Sequence, residues 1–356
     1  MSKKTIAVVF GGFSPEYDVS LNSSYSIINA IDREKYEIIM LGITNKGKWY
    51  RYYGPVEAIP TDKWHVDNTK IKSVIISPER GGGLLEIDGG CAMPVPIDVV
   101  FPVLHGRYGE DGTVQGLCEL AGIPVVGAGS ASSALCMDKD RANKLVSLAG
   151  IKVAKSVCFE YMPSEDELMA VKQELKLPVF VKPVKAGSSF GISKVKSWSA
   201  LSAAVKEAYI YDDAVLIEEN VQGVEIGCSV VGNHDLIVGR TDEIEITGDL
   251  FSYEDKYTVT AAKIHMPARI DEETERKLQD AAKVIYRVLG CRGYCRIDIF
   301  LTDEGEIVFN EANTIPGFTS RSRFPSMMKG VGIEYPELVD MLIGLSLSVE
   351  KGEWYG

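Results

Sequence analysis

Near the carboxyl end of the sequence, the stretch FNEANTIPGFTSRSRFP (309–325) places an acid and an amide two residues apart. The run EIVF before it predicts a β-strand, and residues two apart on a strand project from the same face. Glu311 and Asn313 are therefore expected side by side. Two such oxygen-bearing side chains are typical either of a solvated strand edge or of a site for a hard metal ion. This stretch alone leaves both alternatives open.

A neighbouring strand is predicted from CRIDIFL (295–301), and it supplies a third oxygen donor, Asp298. With Glu311 and Asn313 it forms an oxygen-only set, which suits Mg²⁺ and is poor for softer metals. Arg296 lies two residues before Asp298 and shares its face. An arginine beside metal-binding acids is either their salt-bridge partner or a clamp on a transferring phosphate group.

Two glycine-containing loops are further candidates for binding. VKPVKAGSSFGI (181–192) has a lysine on a predicted strand before a turn rich in glycine and serine, whose amides and hydroxyls can hold phosphate oxygens. A surface hairpin with a soluble turn is the alternative. FGGFSPEYDVS (10–20) lacks the G-x-G-x-x-G spacing of a dinucleotide-binding loop, so it is a weak candidate for a nucleotide. Its Glu16 suits an ammonium group, or is only an acid at the start of a helix.

The pattern of apolar runs predicts the elements that must position these residues. In the first ~125 residues, buried-strand runs alternate with helices, which predicts a doubly wound parallel α/β sheet. The runs are TIAVVFGG (5–12), EIIMLGIT (37–44), IDVVFPVL (97–104) and IPVVG (123–127). Residues 47–95 are expected to be irregular, with short antiparallel strands. A mixed α+β region in two lobes follows. Its expected elements are helices near 130–150, 164–175, 199–211, 271–289 and 335–347 and a hairpin formed by PVFVKPV and GISKV.

Bulk composition excludes several classes of function. A chain of 356 residues is too long for one ordinary core, so about two or three domains are expected. The formal net charge of −12 argues against a nucleic-acid-binding protein, which needs a basic surface. No apolar run reaches the roughly 18 residues that span a bilayer. The apolar run at the N-terminus stops at a glycine pair, unlike that of a signal peptide. We therefore expect a cytoplasmic protein that acts without a membrane.

The seven cysteines and four histidines indicate neither a disulfide framework nor a zinc site. The cysteines are odd in number, no two form a C-x-x-C pair, and most lie in apolar segments. Reduced, buried thiols are therefore expected. The histidines lack the spacing of metal ligands, so zinc is not expected.

These segments together resemble an ATP-grasp enzyme of the D-alanine–D-alanine ligase family. The resemblance covers nearly the whole chain and keeps the family's order of motifs, which are FGGFSPEYDVS, HGRYGEDGTVQG, ALCMDKDRANK, VKPVKAGSSFG, DKY (255–257), GCRGYCRIDIF and NEANTIPGFTSRS. It implies a doubly wound parallel α/β domain at 1–127 and then a two-lobed ATP-grasp fold. The central lobe is expected at 128–222, and the C-terminal lobe, with the metal and acceptor sites, at 223–356. Members of the family are usually homodimers, which is the expectation here.

In this family ATP lies between two small sheets. The resemblance implies that Lys139 and Lys182 hold the α- and β-phosphates. It also implies that Asp298, Glu311 and Asn313 bind two Mg²⁺ ions, for which Mn²⁺ can substitute. The full set of residues implied for ATP is Lys139, Lys182, Ser188, Glu218, Glu219, Val221, Glu225 and Lys256.

The family's reaction has two steps. The carboxylate of a first D-alanine takes the γ-phosphate, and the amine of a second substrate then attacks the acyl phosphate. The resemblance assigns Glu16 to the ammonium group of the first D-alanine. It assigns Arg296 and the backbone N–H of Gly317 to the tetrahedral oxyanion. His105 matches a position near the first substrate, and a structural histidine is the equal alternative.

Three residues belong to loops that the resemblance expects to close over the site and exclude water, namely Ser188, Lys256 and Tyr257. Relatives that use D-lactate replace the lysine–tyrosine pair. Because Lys256 and Tyr257 are intact here, a hydroxy-acid acceptor is not expected.

The acceptor subsite is implied by TSRSRF (319–324). Ser322 matches the hydroxyl that binds the acceptor's carboxylate, and Arg323 stands where D-alanine–D-alanine ligases typically have leucine. A guanidinium makes that pocket polar and favours an acceptor with a hydroxyl group. The same arginine occurs in the vancomycin-resistance D-alanine–D-serine ligases, and the chain most resembles their G type. Phe251 is expected to wall the pocket, and Asp242 to orient Arg323.

We therefore predict a ligase that joins D-alanine to D-serine, with D-alanine as a weaker acceptor. Its product would be a modified peptidoglycan precursor that confers vancomycin resistance. One alternative is a D-alanine–D-alanine ligase of normal cell-wall synthesis. From another class, the alternative is a nucleotide-binding regulatory protein that kept the fold and lost turnover. The expected partners are ATP, D-alanine and D-serine.

Overall fold

The computed structural model describes residues 3–187, 190–246 and 262–348 of the chain. Its first sheet is formed by β1 (Lys4–Gly11), β2 (Tyr36–Ile43), β3 (Trp49–Tyr52), β4 (Ile71–Ile76), β5 (Leu84–Asp88), β6 (Cys91–Val95) and β7 (Val99–Val103). These strands lie in the order β6-β5-β4-β3-β2-β1-β7. β1 is parallel to both β2 and β7, whereas β3 to β6 extend the sheet in antiparallel fashion.

The parallel strands of this sheet are covered on both faces, and their sequences show why. β1 and β7 are nearly continuous apolar runs, which a strand buried on both faces requires. Helices α1 (Tyr17–Ala30) and α2 (Thr113–Ala121) follow them along the chain. The predicted α/β fold class is confirmed for this region. The run IPVVG differs from its prediction. Val125 makes an isolated bridge to Val100, and Pro124 lacks the N–H that a strand ladder needs.

The middle of the chain forms a second sheet, which is antiparallel. Its region contains α3 (Ser130–Met137), α4 (Lys139–Leu148), β8 (Lys152–Val153), β9 (Ser156–Phe159), α5 (Glu165–Glu174), β10 (Val179–Pro183), β11 (Ser193–Val195), α6 (Leu201–Ala208) and β12 (Val215–Glu219). The sheet order is β11-β10-β12-β9. The predicted hairpin is confirmed, because β10 pairs antiparallel with β11. The helical region predicted at 130–150 is two helices. Asp138 has an extended backbone there and caps α4 by accepting a hydrogen bond from the Arg141 N–H.

The third sheet carries most of the predicted site. Its region contains β13 (Val224–Val231), β14 (Ile237–Val238), β15 (Asp242–Ile246), β16 (Ala262–His265), α7 (Glu272–Val288), β17 (Tyr294–Leu301), β18 (Ile307–Asn313), α8 (Arg323–Lys329) and α9 (Tyr335–Leu347). The order is β16-β15-β13-β17-β18-β8, and β14 pairs with β13. The sequence analysis missed α8. Pro325 suggests a break, but proline is tolerated in the first turn of a helix, where it lies here.

Aromatic side chains join the first sheet to the third and fix the loop between β18 and α8. The ring of Phe318, in this loop, lies 6.5 Å from that of Phe101 on β7 and 5.5 Å from that of Tyr294 on β17. The Tyr335 hydroxyl donates to the Phe318 carbonyl at 2.6 Å. The loop is therefore anchored from both sides.

The three sheets follow one another along the chain. Strand β8 belongs to the middle region of the chain but pairs with β18 of the third sheet. The sheets therefore do not by themselves fix where one domain ends, and the domain bounds 1–127, 128–222 and 223–356 stay predictions. Within the described residues, every helix is too short or too polar to traverse a lipid bilayer.

Candidate active site

Three oxygen-bearing side chains meet where β17 and β18 pair. The antiparallel register sets Asp298 opposite Glu311, and Arg296 opposite Asn313, so the four side chains project from one face. The Asn313 amide nitrogen donates to Asp298 Oδ2 at 3.0 Å and lies 3.5 Å from Glu311 Oε1. The structure therefore brings together the three residues that the sequence predicts as metal ligands.

The chemistry of this set fits Mg²⁺. Two carboxylates and one amide offer oxygen donors, which hard cations prefer. Asp298 is 1% exposed, so its charge acts in a region of low dielectric where a divalent cation is a strong partner. In the described part of the chain, no group of three histidine, cysteine, aspartate or glutamate side chains forms a metal site. The set of Asp298, Glu311 and Asn313 is not such a group, because its third donor is the amide of Asn313. The assignment of Asp298, Glu311 and Asn313 to Mg²⁺ is thus a proposal that the donor set supports.

Arg296 is the salt-bridge partner of Asp298. Its Nε donates to Asp298 Oδ1 at 2.9 Å and its Nη2 donates to Oδ2 at 2.8 Å, which is the strong bidentate geometry. Burial acts to lower the pKa of Arg296, but the Asp298 carboxylate outweighs it and raises that pKa, so the guanidinium stays charged. The structure shows the first of the two alternatives for this arginine. Its role at a transferring phosphate or an oxyanion is a proposal.

Arg323 forms a second arginine–carboxylate pair beside the first. Its Nε donates to Asp242 Oδ2 at 2.8 Å and its Nη2 donates to Asp242 Oδ1 at 2.7 Å. Asp242, at the start of β15, is 0% exposed. Arg323 Nη2 also lies 3.4 Å from Asp298 Oδ1, and Nη1 lies 3.7 Å from Glu225 Oε1. Arg323 therefore connects the predicted acceptor subsite with the predicted metal ligands.

The two lysines predicted to hold phosphates come from different elements and have different partners. Lys139 begins α4. Its backbone N–H donates to the Val184 carbonyl at 3.3 Å, and its Nζ donates to the Ala186 carbonyl at 2.7 Å. Lys182, on β10, forms a largely buried salt bridge with Glu218 of the neighbouring strand β12. The Lys139 ammonium thus lies at the turn after β10, where the sequence analysis expects phosphate, whereas the Lys182 ammonium lies between β10 and β12.

The residues predicted for adenine and ribose lie at the end of β12 and the start of β13. Glu218 and Glu219 end β12, and Glu219 Oε1 accepts a hydrogen bond from the Lys155 N–H at 2.9 Å. Val221 lies in the loop between the two strands, and Glu225 is the second residue of β13. Along the chain, these positions therefore lie between β12 of the second sheet and β13 of the third, or at the adjoining ends of these two strands. Their roles toward a nucleotide stay proposals.

Glu16 and His105 lie at the contact between the first sheet and the loops of the later domains. A Cβ on Gly106 would meet Glu16 Oε2 at 2.4 Å, and a Cβ on Gly187 would meet it at 3.2 Å, so this carboxylate lies against both backbones. His105 Nδ1 donates to the Ile315 carbonyl at 2.8 Å. Burial lowers the pKa of His105, which favours the neutral ring. These contacts support a structural role for His105, and its substrate role stays a proposal.

Glu110 is a residue that the sequence analysis missed. Its Oε2 accepts from the Gly106 N–H at 2.8 Å, and its Oε1 accepts from the Ile315 N–H at 3.1 Å. One carboxyl group therefore ties the loop after β7 to the loop after β18. Burial and the nearby Glu16 carboxylate raise the pKa of Glu110 to about 8, while the two N–H donors act in the opposite direction. The only signal in the sequence is its place in HGRYGED.

The loop between β18 and α8 sets the predicted oxyanion and acceptor groups close together. A Cβ on Gly317 would lie 3.5 Å from Ser322 Oγ. Ser322 Oγ accepts from the Thr319 N–H at 3.0 Å, and Ser322 is the N-cap residue of α8. The hydroxyl and the Gly317 backbone therefore lie close together, and Arg323 is the next residue along the chain.

Four of the predicted site residues lie outside the residues that the structure describes. They are Ser188, Phe251, Lys256 and Tyr257. Their roles stay predictions.

Comparison with known proteins gives matches over both parts of the chain. The family model described as D-ala D-ala ligase N-terminus matches residues 5–128, and the one described as D-ala D-ala ligase C-terminus matches residues 145–344. A D-alanine–D-alanine ligase of Caldicellulosiruptor bescii is 43% identical, with 99% of this chain and 96% of that protein covered. The vancomycin C-type resistance protein VanC2 of Enterococcus casseliflavus is also 43% identical, with 96% and 98% covered.

Solved structures agree with these matches. The crystal structure of VanG D-Ala:D-Ser ligase from Enterococcus faecalis aligns with a TM-score of 0.91 and 52% sequence identity, covering 97% of this chain and 100% of that one. The D-alanine–D-alanine ligase from Coxiella burnetii aligns with a TM-score of 0.85 at 30% identity, covering 98% and 94%. The overall architecture is thus shared with ligases that differ in the acceptor their names give.

Proposed function

Since the chain belongs to the D-alanine–D-alanine ligase family, we propose that it is an ATP-dependent ligase that joins D-alanine to D-serine. Its product is then a modified peptidoglycan precursor that confers vancomycin resistance. The observation that carries the proposal is the Arg323 guanidinium, which two hydrogen bonds hold on Asp242; its residue directly follows Ser322, which the resemblance assigns to the acceptor subsite. The 52% identity with a D-Ala:D-Ser ligase supports the same acceptor.

In the first step, a carboxylate oxygen of D-alanine attacks the γ-phosphorus of ATP, and ADP leaves. Lys139 and Lys182 bind the phosphate oxygens beside the turn after β10. Asp298, Glu311 and Asn313 hold Mg²⁺, which supplies positive charge against the phosphate oxygens when bound. The protein contributes little covalent catalysis, because positioning and charge stabilisation provide most of the rate enhancement of phosphoryl transfer.

In the second step, the acceptor's amine attacks the carbonyl carbon of the D-alanyl phosphate, a carbon–nitrogen bond forms, and phosphate leaves. Glu16 binds the ammonium group of the first D-alanine. Arg296 and the Gly317 N–H stabilise the tetrahedral oxyanion, where a well-placed donor contributes about 3–4 kcal/mol. Among the described residues, Arg296 Nη1 makes no hydrogen bond, while Asp298 fixes Nε and Nη2. The side chain is therefore held rigidly and keeps a donor for the reaction.

Selection of D-serine follows from the donors of Arg323. An arginine has five N–H donors, and here Nε and Nη2 are directed at Asp242. Nη1 lies 3.7 Å from Glu225, which is too far for a hydrogen bond. A hydroxyl on the acceptor can accept from Nη1. An acceptor with a methyl group would make no hydrogen bond to this donor, and such a mismatch is penalised more strongly than a difference in size.

A second candidate function is the D-alanine–D-alanine ligase of normal cell-wall synthesis. It is favoured by the similarity to the Caldicellulosiruptor bescii enzyme over nearly the full length of both chains. The two candidates share the first step and the oxyanion site. They differ in the acceptor alone, so a competition between acceptors separates them.

The test measures products with both acceptors present. The protein is incubated with ATP, Mg²⁺, D-alanine and D-serine, ADP formation is followed, and the dipeptides are identified by mass. We expect D-alanyl-D-serine in excess. Arg323→Leu should shift the product ratio toward D-alanyl-D-alanine by about 1–3 kcal/mol, or roughly 5- to 150-fold.

A conservative variant controls for loss of charge at this position. Arg323→Lys keeps the positive charge but cannot make the bidentate bond to Asp242, so its product ratio should lie between those of the wild type and the leucine variant. An unchanged preference for D-serine in Arg323→Leu would remove this arginine from the explanation. A wild-type protein that makes mainly D-alanyl-D-alanine would favour the second candidate.

A further inference from the structure

Gly227 lies in the middle of β13, between two of the acids of the site. In the registers of the third sheet it stands opposite Asp242 on β15 and opposite Asp298 on β17. Directly opposite residues of antiparallel strands project from the same face. The three strands therefore carry an acid, a glycine and an acid in a row across the sheet.

The Arg323 guanidinium fills the space above this glycine. A Cβ on Gly227 would come within 2.3 Å of Asp242 Oδ1 and 2.4 Å of Arg323 Nη2, whereas real Cβ atoms essentially never approach within 3.0 Å. The Gly227 N–H also donates to Asp242 Oδ1 at 3.1 Å. Any side chain at position 227 would therefore push apart the two partners of the ion pair.

The backbone does not explain the glycine. Gly227 does not have a positive φ, so the strand conformation would accept an L side chain. The other face of β13 belongs to the core, where Ile226, Cys228 and Val230 are buried in one hydrophobic cluster. What requires glycine is thus the arginine that lies across the strand on the face of the site.

We infer that Gly227 is a positioning residue that sets which acceptor is used. Without a side chain at 227, Arg323 lies across β13 with Nη2 2.7 Å from Asp242 and 3.4 Å from Asp298. One guanidinium is thereby fixed between the acceptor subsite and the predicted metal ligands. The inference rests on the proposed function in so far as Arg323 selects D-serine.

The first variant is Gly227→Ala. The added methyl group should displace Arg323, so that the ratio of D-alanyl-D-serine to D-alanyl-D-alanine falls by roughly 10-fold or more. The KM for D-serine should rise more than the KM for ATP, because Glu225 is, in the described part of the chain, the one residue proposed for ATP that lies within ion-pair distance of Arg323, and the lysines proposed for phosphate lie on other elements. Cys228→Ala is the matched control. It removes a buried side-chain atom from the core face of the same strand, and its product ratio should stay that of the wild type.

A double variant separates an effect through Arg323 from a general loss of packing. In Arg323→Leu the guanidinium is absent, so adding Gly227→Ala should change the product ratio by less than about twofold. Adding Gly227→Ala should also lower the urea midpoint of unfolding less in the Arg323→Leu background than in the wild type, since the clash has been removed. This comparison still applies if Gly227→Ala by itself is largely unfolded.

The inference is overturned by a Gly227→Ala protein that keeps the wild-type ratio. An equal change in the Cys228→Ala control would overturn it as well. So would a Gly227→Ala substitution that lowers the unfolding midpoint equally in the wild type and in Arg323→Leu. A wild-type protein without preference for D-serine would contradict the proposed function instead. The unfolding midpoints of the wild type, Gly227→Ala, Arg323→Leu and the double variant would still decide whether Gly227 positions Arg323.

Discussion

Replacing Asp298 with asparagine tests the carboxylate that both arginines approach. Arg296 donates to it at 2.9 and 2.8 Å, Asn313 donates at 3.0 Å, and Arg323 Nη2 lies 3.4 Å away. Asparagine keeps the size of the side chain but removes its charge. Its amide also directs N–H groups toward neighbours that are themselves donors. The substitution therefore removes the counter-ion of a buried guanidinium without opening a cavity.

The expected loss of stability follows from the remaining charges. Removing one partner of a buried ion pair typically costs about 3–5 kcal/mol. Arg323 keeps both hydrogen bonds to Asp242, and Glu311 still attracts Arg296. We therefore expect the low end of the range, about 3 kcal/mol. Since globular proteins are stable by about 5–15 kcal/mol, the variant should remain folded at room temperature.

The assay is urea unfolding with and without Mg²⁺ in the presence of ATP. A ligand that binds only the folded protein stabilises it by about 2.7 kcal/mol at a concentration of 100 Kd. In the wild type, adding Mg²⁺ to ATP should therefore raise the free energy of unfolding. In Asp298→Asn this Mg²⁺-dependent part should be lost, because the donor set has lost a carboxylate. ATP with a chelator gives the reference state for each protein.

Asp303 offers a matched control on the same pair of strands. It is exposed in the turn between β17 and β18, so Asp303→Asn makes the same chemical change away from the site. Its free energy of unfolding should stay within about 0.5 kcal/mol of the wild type. The reasoning is refuted if Asp298→Asn is as stable as the wild type, or if Mg²⁺ with ATP stabilises it to the same extent.

Two further substitutions test neighbouring groups. Arg296→Ala should lower turnover by roughly 10²–10³-fold while ATP binding, measured by calorimetry, persists, and normal phosphate release would contradict its role at the oxyanion. Glu110→Gln should weaken the pH dependence of stability. Burial and Glu16 raise the pKa of Glu110 from 4.5 to about 8, so between these values the folded protein holds a proton that the unfolded chain releases. Wild-type stability should therefore fall from pH 5 to pH 8 in urea unfolding, and an equal slope in the variant would exclude Glu110 as its source.

The meeting of Asp298, Glu311 and Asn313 could be predicted from the sequence because local rules place these residues. Glu311 and Asn313 share a face through their spacing on one strand. A short turn at 302–306 brings that strand, β18, back beside β17. Asp298 then needs only the register of one hairpin to meet them. The predicted β10–β11 hairpin is confirmed for the same reason. In both cases neighbouring segments of the chain pair with each other.

The contacts that complete the site could not be predicted from spacing. Asp242 and Arg323 are 81 residues apart, and Glu110 is 205 residues from Ile315. No periodicity links such positions, because they meet only when the first sheet and α8 pack against the third sheet. The contact between Asp242 and Arg323 enters the sequence analysis as a hypothesis attached to a family resemblance. Glu110 lies in the HGRYGED motif, but nothing in its spacing links it to Ile315, so its role in joining two loops is recognised only in the structure.

The balance of charge in the site supports the proposal that a divalent ion acts together with these cations. Lys182 is neutralised by Glu218, and Asp298 and Asp242 each pair with an arginine. A paired cation is well oriented but offers little net attraction to a triphosphate, since its partner repels the same phosphates. Pairing these cations with acids thus fixes the positions of their side chains but reduces their net attraction for phosphate. Under the proposed function, additional positive charge would arrive with the nucleotide as Mg²⁺, and the oxygen donors on β17 and β18 would receive it.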